Sequence, residues 1–97
     1  MFPERKVPMV TLNEERTKRN DAGNIVVVLE SDDMSQLLEG ATRFAIKKAA
    51  EMGLAPAGVL NMPRPMAIDE ATDGPITGPG SKLKCYRVEV LCGSAIP

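Results

Sequence analysis

Five consecutive apolar residues, Ile25-Val26-Val27-Val28-Leu29, decide the fold of this chain. The run is too short and too rich in β-branched residues for a helix, and it predicts a central strand. Because the run is apolar on both faces, a single covering helix leaves the second face in need of a partner. We therefore predict a βαβ-like unit from Asn24 to Cys92 that functions as part of something larger.

One amphipathic helix is predicted directly after the central strand. Ser31, Asp32 and Asp33 offer N-caps, and Gly53 is well placed to end the helix after Met52. The apolar residues of this helix recur every three or four positions and are expected to face the sheet. They are Met34, Leu37, Leu38, Ala41, Phe44, Ala45, Ala49 and Met52.

The remaining strands are predicted from the second half of the chain. Residues 57–68 indicate an edge strand, a bulge or an extended connection, because Pro63 and Pro65 interrupt their apolar pattern. A long loop is expected over 69–82, and the alternating residues from Lys84 to Cys92 predict a strand. The predicted fold class is α+β, a β-α-β-β half of a ferredoxin-like fold with one helix on a small sheet.

The first part of the chain is predicted to be an extended N-terminal arm, residues 1–23, that precedes a single α+β domain, residues 24–97. Pro3 and Pro8 exclude a long helix, although the charge order of residues 13–20 favours a short exposed one. Either the arm is a solvated tail or it lies on a neighbouring subunit. In the second interpretation its partner-binding residues are Val7, Met9, Val10 and Leu12.

Composition and charge limit the classes of function. The 97-residue chain has a net charge of -1, which argues against a protein that holds nucleic acid mainly through phosphates. It contains no histidine, and we predict no catalytic residue, no cofactor and no metal site. Cys85 and Cys92 fall on opposite faces of one predicted strand, so they cannot bridge each other and are expected to be small buried thiols.

The sequence also limits the expected location. It has no apolar stretch long enough to span a membrane, and the residues at its start, Met-Phe-Pro-Glu-Arg-Lys, lack the pattern of a signal peptide. We therefore expect a protein of the cytoplasm or of a virion, with no membrane contact.

Three short segments occur in an order that is found in a known family. They are Gly58-Val59-Leu60-Asn61-Met62-Pro63, Gly78-Pro79-Gly80-Ser81-Lys82 and Tyr86-Arg87-Val88-Glu89-Val90. Together with the apolar strand and the Ala- and Lys-rich helix, they make the chain resemble small-subunit ribosomal protein ten in its archaeal and eukaryotic form. The resemblance implies an RNA-binding ribosomal subunit. Its candidate phosphate ligands are Arg43, Lys47, Lys48, Lys82 and Lys84.

The chain departs from this family in charge and in length. Asp69, Glu70 and Asp73 are acidic where the family is basic, and acidic side chains repel RNA. The basic continuation of the family's next strand is replaced by Leu91-Cys92-Gly93-Ser94, and its second helix and final strand are missing. A shared fold does not carry the RNA contacts with it.

The sequence favours a non-enzymatic structural subunit of a large macromolecular assembly, with protein subunits of the same assembly, including copies of itself, as partners. Two forms of this function are open: a ribosome-like RNA-binding subunit, which the resemblance favours, and a viral capsid or tail accessory protein, which the acidic loop favours. A third class is a small regulatory protein that binds one partner through its sheet edge.

Overall fold

The computed structural model describes residues 10–94. The helix and strands of this range pack together, which confirms the predicted α+β class. In chain order they are β1 (Thr11–Leu12), β2 (Lys18–Arg19), β3 (Ile25–Ser31), α1 (Met34–Glu51), β4 (Ala57–Val59), β5 (Met66–Asp69) and β6 (Leu83–Ser94).

β3 and β6 form the centre of the sheet. They pair antiparallel over seven residues, from Ile25 opposite Cys92 to Ser31 opposite Tyr86. β1 and β2 pair with the outer edge of β3, whereas β4 and β5 pair with the outer edge of β6. Since β3 and β4 are both antiparallel to β6, α1 connects two strands of the same direction that have β6 between them. This split β-α-β arrangement is the predicted half of a ferredoxin-like fold.

β4 and β5 act as one interrupted edge strand along β6. Pro63 and Pro65 lie in the connection between them, which confirms the edge position predicted from these prolines. In the gap, the Asn61 side chain takes the place of a backbone segment. Its Nδ2 donates to the Glu89 carbonyl at 3.1 Å, and its Oδ1 accepts from the Leu91 N–H at 2.8 Å. The edge of β6 therefore stays hydrogen-bonded where the edge strand is broken.

The ends of α1 follow the predicted capping residues. Asp33 is the N-cap, and its side chain accepts a hydrogen bond from the Ser35 N–H at 2.9 Å. At the other end, Gly53 has a φ of 111°, a left-handed conformation that glycine adopts without strain. The small apolar residues that recur every four positions share one side of the helix, and this side faces the sheet. The buried positions of α1 are Leu37, Ala41, Ala45 and Ala49.

Three other members of the predicted apolar stripe are not buried. Met34, Leu38 and Phe44 are 40%, 63% and 40% exposed. The stripe is wider than the contact that one helix makes with a sheet, and residues 10–94 contain no second helix beside α1 to cover its flanks. The expectation that the whole stripe faces the sheet is therefore wrong for these three residues.

The core lies between α1 and one face of the two central strands. Alternate residues of β3 and β6 point to the helix and are at most 2% exposed. Burying a valine, leucine or isoleucine contributes about 1.5–3 kcal/mol each, so this single layer supplies much of the stability of a small domain. Its strand residues are Ile25, Val27, Leu29, Val88, Val90 and Cys92.

The second face of the sheet is partly covered by loops of the same chain. Val28 points to this face and is fully buried. Along the edge of β3, the Asn13 N–H donates to the Val28 carbonyl at 2.8 Å, and the Val28 N–H donates to Thr17 Oγ1 at 3.0 Å. Arg87, also on this face, reaches Asp73 in the long loop at 2.9 Å. Val28 and Arg87 are therefore buried by the chain itself, whereas Glu89, opposite Val28, is exposed and Val26 and Leu91 are half-buried, so part of this face stays open to a partner.

The described part of the predicted arm belongs to the sheet. β1 and β2 pair with β3, and Val10 and Leu12 are half-buried against the core of their own chain. Residues 13–20 form a turn and β2 rather than the expected short helix, because weak charge pairs between neighbouring turns cannot compete with pairing to β3. Val7 and Met9 lie outside the described residues.

Among residues 10–94, α1 is too polar to cross a membrane, and no other segment forms a spanning helix.

Gly93 in β6 leaves no room for a side chain. A Cβ there would lie 2.7 Å from Asn24 Oδ1 and 2.7 Å from Leu60 Cδ1. We expect Gly93→Ala to lower the free energy of unfolding by about 1–3 kcal/mol, because both neighbours must move; urea denaturation measures this change. Gly78→Ala, where a Cβ meets nothing within 4 Å, is the control and should stay within about 0.5 kcal/mol of the parent. Equal stabilities of the two variants would contradict the packing around Gly93.

Candidate protein-interaction groove

A groove runs along one flank of α1, between the helix and the start of the described chain. It has a volume of about 520 Å³ and continues into a smaller depression that shares Phe44 and Lys47 with it. We call the two together the α1 groove. Its lining residues are Val10, Leu12, Gln36, Glu39, Gly40, Arg43, Phe44, Lys47, Lys48 and Glu51.

The groove follows from the position of α1 on the sheet. The helix turns its small residues to β3 and β6, so the next positions around the helix, including Gly40 and Phe44, face sideways. Val10 and Leu12 form the opposite wall because β1 occupies the edge of β3. The space between these walls stays open in the described part of the chain.

Gly40 and Phe44 are the two unusual residues of the groove. A Cβ at Gly40 would meet nothing within 4 Å, so no contact within the described chain requires glycine there. A glycine inside a helix nevertheless costs up to about 1 kcal/mol relative to alanine. Four residues further on, Phe44 is half-exposed although it is one of only two phenylalanines in the chain. The groove thus combines an aromatic side chain with an open place beside it.

The charges of the groove are mixed. Glu39, Arg43 and Lys47 are exposed on its walls, and Lys48 Nζ lies 3.8 Å from Glu51 Oε2. Both signs occur along one helix flank, with acidic residues at its two ends and basic residues between them, so the surface is suited to another protein surface of mixed charge rather than to a uniform polyanion.

The structure brings together residues that the sequence assigned to two different sites. Val10 and Leu12, predicted to bind a partner, line the same groove as Arg43 and Lys47, predicted to bind phosphate. Lys48 lines it as well, whereas the remaining two candidate phosphate ligands do not. Lys82 lies beside Asp69 and Glu70 at a shallow depression, and Lys84 is bound to Asp73.

Asp73 joins three basic side chains on the second face of the sheet. Its carboxylate lies 3.0 Å from Lys84 Nζ, 2.9 Å from Arg87 Nη2 and 2.9 Å from Arg16 Nη2, and Arg87 also binds Glu30. We call these five residues the Asp73 cluster. The hydrogen bond from Lys84, followed by those from Arg87 and Arg16, holds the pKa of Asp73 well below its usual range. The same contact with Asp73 raises the pKa of Lys84, so this lysine stays charged and engaged.

The neighbouring acidic residues of the long loop also serve the fold. Asp69 is buried, and its Oδ1 accepts hydrogen bonds from the N–H groups of Ala71 and Lys82, both at 3.2 Å. Its other oxygen accepts from Thr72 Oγ1 at 3.4 Å. Within residues 10–94, no group of three or more carboxylates and thiols is placed to hold a metal ion. Asp69 and Asp73 therefore close the loop over the sheet.

The two cysteines lie apart on β6. Both are free thiols, and burial raises the pKa of Cys85 and of Cys92. A raised pKa keeps a thiol protonated at neutral pH and lowers its reactivity. Their separation agrees with the predicted placement on opposite faces of one strand.

No protein-family model, curated protein or solved structure matches the chain. The resemblance to small-subunit ribosomal protein ten therefore stays a prediction.

The Asp73 cluster predicts a dependence of stability on pH. Because the pKa of Asp73 is lowered on folding from its usual value of 3.8, its ionic contacts stabilise the protein fully above that pH and are lost as the pH falls below it. We expect Asp73→Asn to be less stable than the parent at pH 7, with a difference that shrinks as the pH drops below 3.8.

Thermal unfolding followed by circular dichroism between neutral and acidic pH measures this difference. Asp21→Asn, which makes the same charge change at an exposed turn, is the matched control. A constant difference between Asp73→Asn and the parent across this range would show that the cluster does not stabilise the fold through ionised Asp73.

Proposed function

We propose that the protein is a non-enzymatic structural subunit of a large macromolecular assembly, and that the α1 groove is one of the surfaces by which it binds neighbouring protein subunits. The observation that carries this proposal is the half-exposed Phe44 beside the open position at Gly40. Aromatic side chains at protein surfaces are enriched in interfaces, where they fill a place on the partner.

A second apolar region supports an assembly rather than a single pair. Leu60, Met62 and Met66 lie along the interrupted edge strand and are all exposed, Met62 by 77%. This strand borders β6, whereas the α1 groove lies toward the edge formed by β1. A subunit with contact surfaces on two sides can bind two neighbours at once, which extended or closed assemblies require.

The small core gives a physical reason for association. The chain has 97 residues, and chains of this size bury only about 60–65% of their unfolded surface. The helix contributes mostly alanines to the core, so it adds little apolar area there. Contacts with other subunits would add buried apolar area and raise stability. In this proposal the predicted arm, including Val7 and Met9, adds a further contact.

RNA is the alternative partner, and the charges favour protein. Arg43 and Lys47 are exposed in the groove, but Glu39 lies beside them and Lys84 is bound to Asp73. A ribosome-like role would need a more continuous basic surface. The viral accessory role and the cytoplasmic or virion location are consistent with the proposed assembly function and are part of the same proposal.

Size-exclusion chromatography with light scattering, at low and at high salt, tests the proposal on the full chain. We expect an oligomer that persists at high salt, because apolar contacts are not weakened by screening. We also expect Leu60→Ser combined with Met62→Ser to reduce the size of the oligomer, because both side chains are exposed and their loss leaves the core intact. The control is Thr77→Ser, which changes an exposed loop position. Asn13→Ser would not serve, because Asn13 forms hydrogen bonds with Val28 and Glu30.

The possible results separate the candidate functions. An oligomer in both salts supports a structural subunit. A monomer at every salt and protein concentration would contradict it. Nucleic acid that purifies with the chain at low salt and is lost at high salt would favour the ribosome-like RNA-binding function instead.

A further inference from the structure

The glycine at position 40 has no explanation within the described chain. Glycine is among the poorest helix formers, and Gly40 lies in the interior of an 18-residue helix with a negative φ. Among residues 10–94, no atom lies within 4 Å of the place that its Cβ would occupy. A small residue at such a position allows another backbone or ring to approach the helix closely. The other residues of the α1 groove indicate which group approaches the helix at Gly40.

We propose that the α1 groove is the interface between two copies of this chain, in which the two α1 helices lie antiparallel and Phe44 of each copy covers Gly40 of the other. This inference rests on the proposed function and names the partner at the groove. The twofold axis passes at the level of Thr42, midway between the two positions along the helix. In both copies Phe44 therefore supplies the ring and Gly40 the position that the ring covers, as an interface between identical surfaces requires.

The helix geometry fits this exchange. Positions 40 and 44 are four residues apart, so they lie on the same flank and about 6 Å apart along the axis. When a second helix runs in the opposite direction, residue 44 of one copy faces residue 40 of the other, and the reverse contact forms at the same time. Both exposed rings then become covered, and neither helix has to bend.

The charges favour an antiparallel over a parallel arrangement of the two helices, and they favour a second copy of this chain as the partner. Glu39 of one copy comes level with both Arg43 and Lys47 of the other within two residues. The two Arg43 side chains lie at the same offset from each other, so the attractive contacts of the two glutamates outnumber one repulsive contact. A parallel pair in register would instead place Glu39 opposite Glu39 and Arg43 opposite Arg43, which is repulsive. Each copy thus supplies both the acidic and the basic part of the contact.

The topology leaves space for the second helix. A complete ferredoxin-like fold carries two helices on one face of its sheet, and the described chain provides one split β-α-β unit with one helix. The α1 groove lies beside α1 on that same face, between the helix and Val10. The α1 helix of the second copy fills this position.

The first experiment replaces the glycine by a larger helix former in the full chain. Gly40→Leu places a side chain where Phe44 of the second copy lies, while it favours the helix of the isolated subunit. We expect sedimentation equilibrium to show a dimer dissociation constant that is raised by about tenfold or more. The unfolding midpoint, measured at a concentration low enough that both chains are monomeric, should be equal to or above that of the parent. Thr42→Leu introduces the same residue on the opposite, exposed flank of α1 and should leave the dissociation constant unchanged.

The second experiment tests the pairing itself by charge reversal. Glu39→Arg and Arg43→Glu should each weaken self-association, because each variant then faces a like charge in its own copies. An equimolar mixture of the two variants should form heterodimers more tightly than either variant forms homodimers. Contacts within one helix cannot produce this rescue, because each chain in the mixture still carries its own single reversal.

Each outcome decides between the groove and other surfaces. A dissociation constant unaffected by Gly40→Leu, or a mixture without rescue, overturns the antiparallel pair. If a larger oligomer persists in these variants, the proposed structural function stands and the subunits meet elsewhere. A parent chain that is monomeric throughout overturns both.

Discussion

The pairing of β3 with β6 is the interaction on which every other element depends. Seven consecutive residue pairs join these strands, the remaining four strands each pair with one of them, and the helix packs on both. The alternation of side chains along this ladder divides the molecule in two. Val27 and Val90 face the helix and form the core, while Val28 and Arg87 face the loops. A shift of one residue in this pairing would exchange the two sets and bury charge under α1.

The parts of the fold that local pattern controls could be predicted from the sequence. The apolar run that became β3, the capped helix and the alternating strand β6 are all found, and the prolines at 63 and 65 mark the broken edge strand. The predictions that were wrong concern segments whose structure depends on contacts with residues far away in the sequence. Residues 13–20 have charge spacing that suits a helix, but the free edge of β3 captures them as a turn and a strand. The local sequence of residues 13–20 does not indicate that the edge of β3 is free to pair with them.

The candidate site was predictable only in pieces. Val10, Leu12, Arg43 and Lys47 were identified by their chemistry, yet only the chain path shows that they line one groove. Phe44 was assigned to the core because its spacing matches the buried stripe, and spacing alone does not tell how many helices share a sheet. The Asp73 cluster was likewise hidden, since its members come from four separate segments of the chain.

The broken outer strands have a consequence for how copies of this chain can meet. No strand at either outer edge of the described sheet is longer than four residues, and the Asn61 amide fills the gap along β6 with side-chain groups. A foreign strand laid against either edge would find only short runs of free backbone groups. Fibril growth by strand addition is therefore disfavoured, and contacts between copies are left to side chains, which fix a definite number of neighbours.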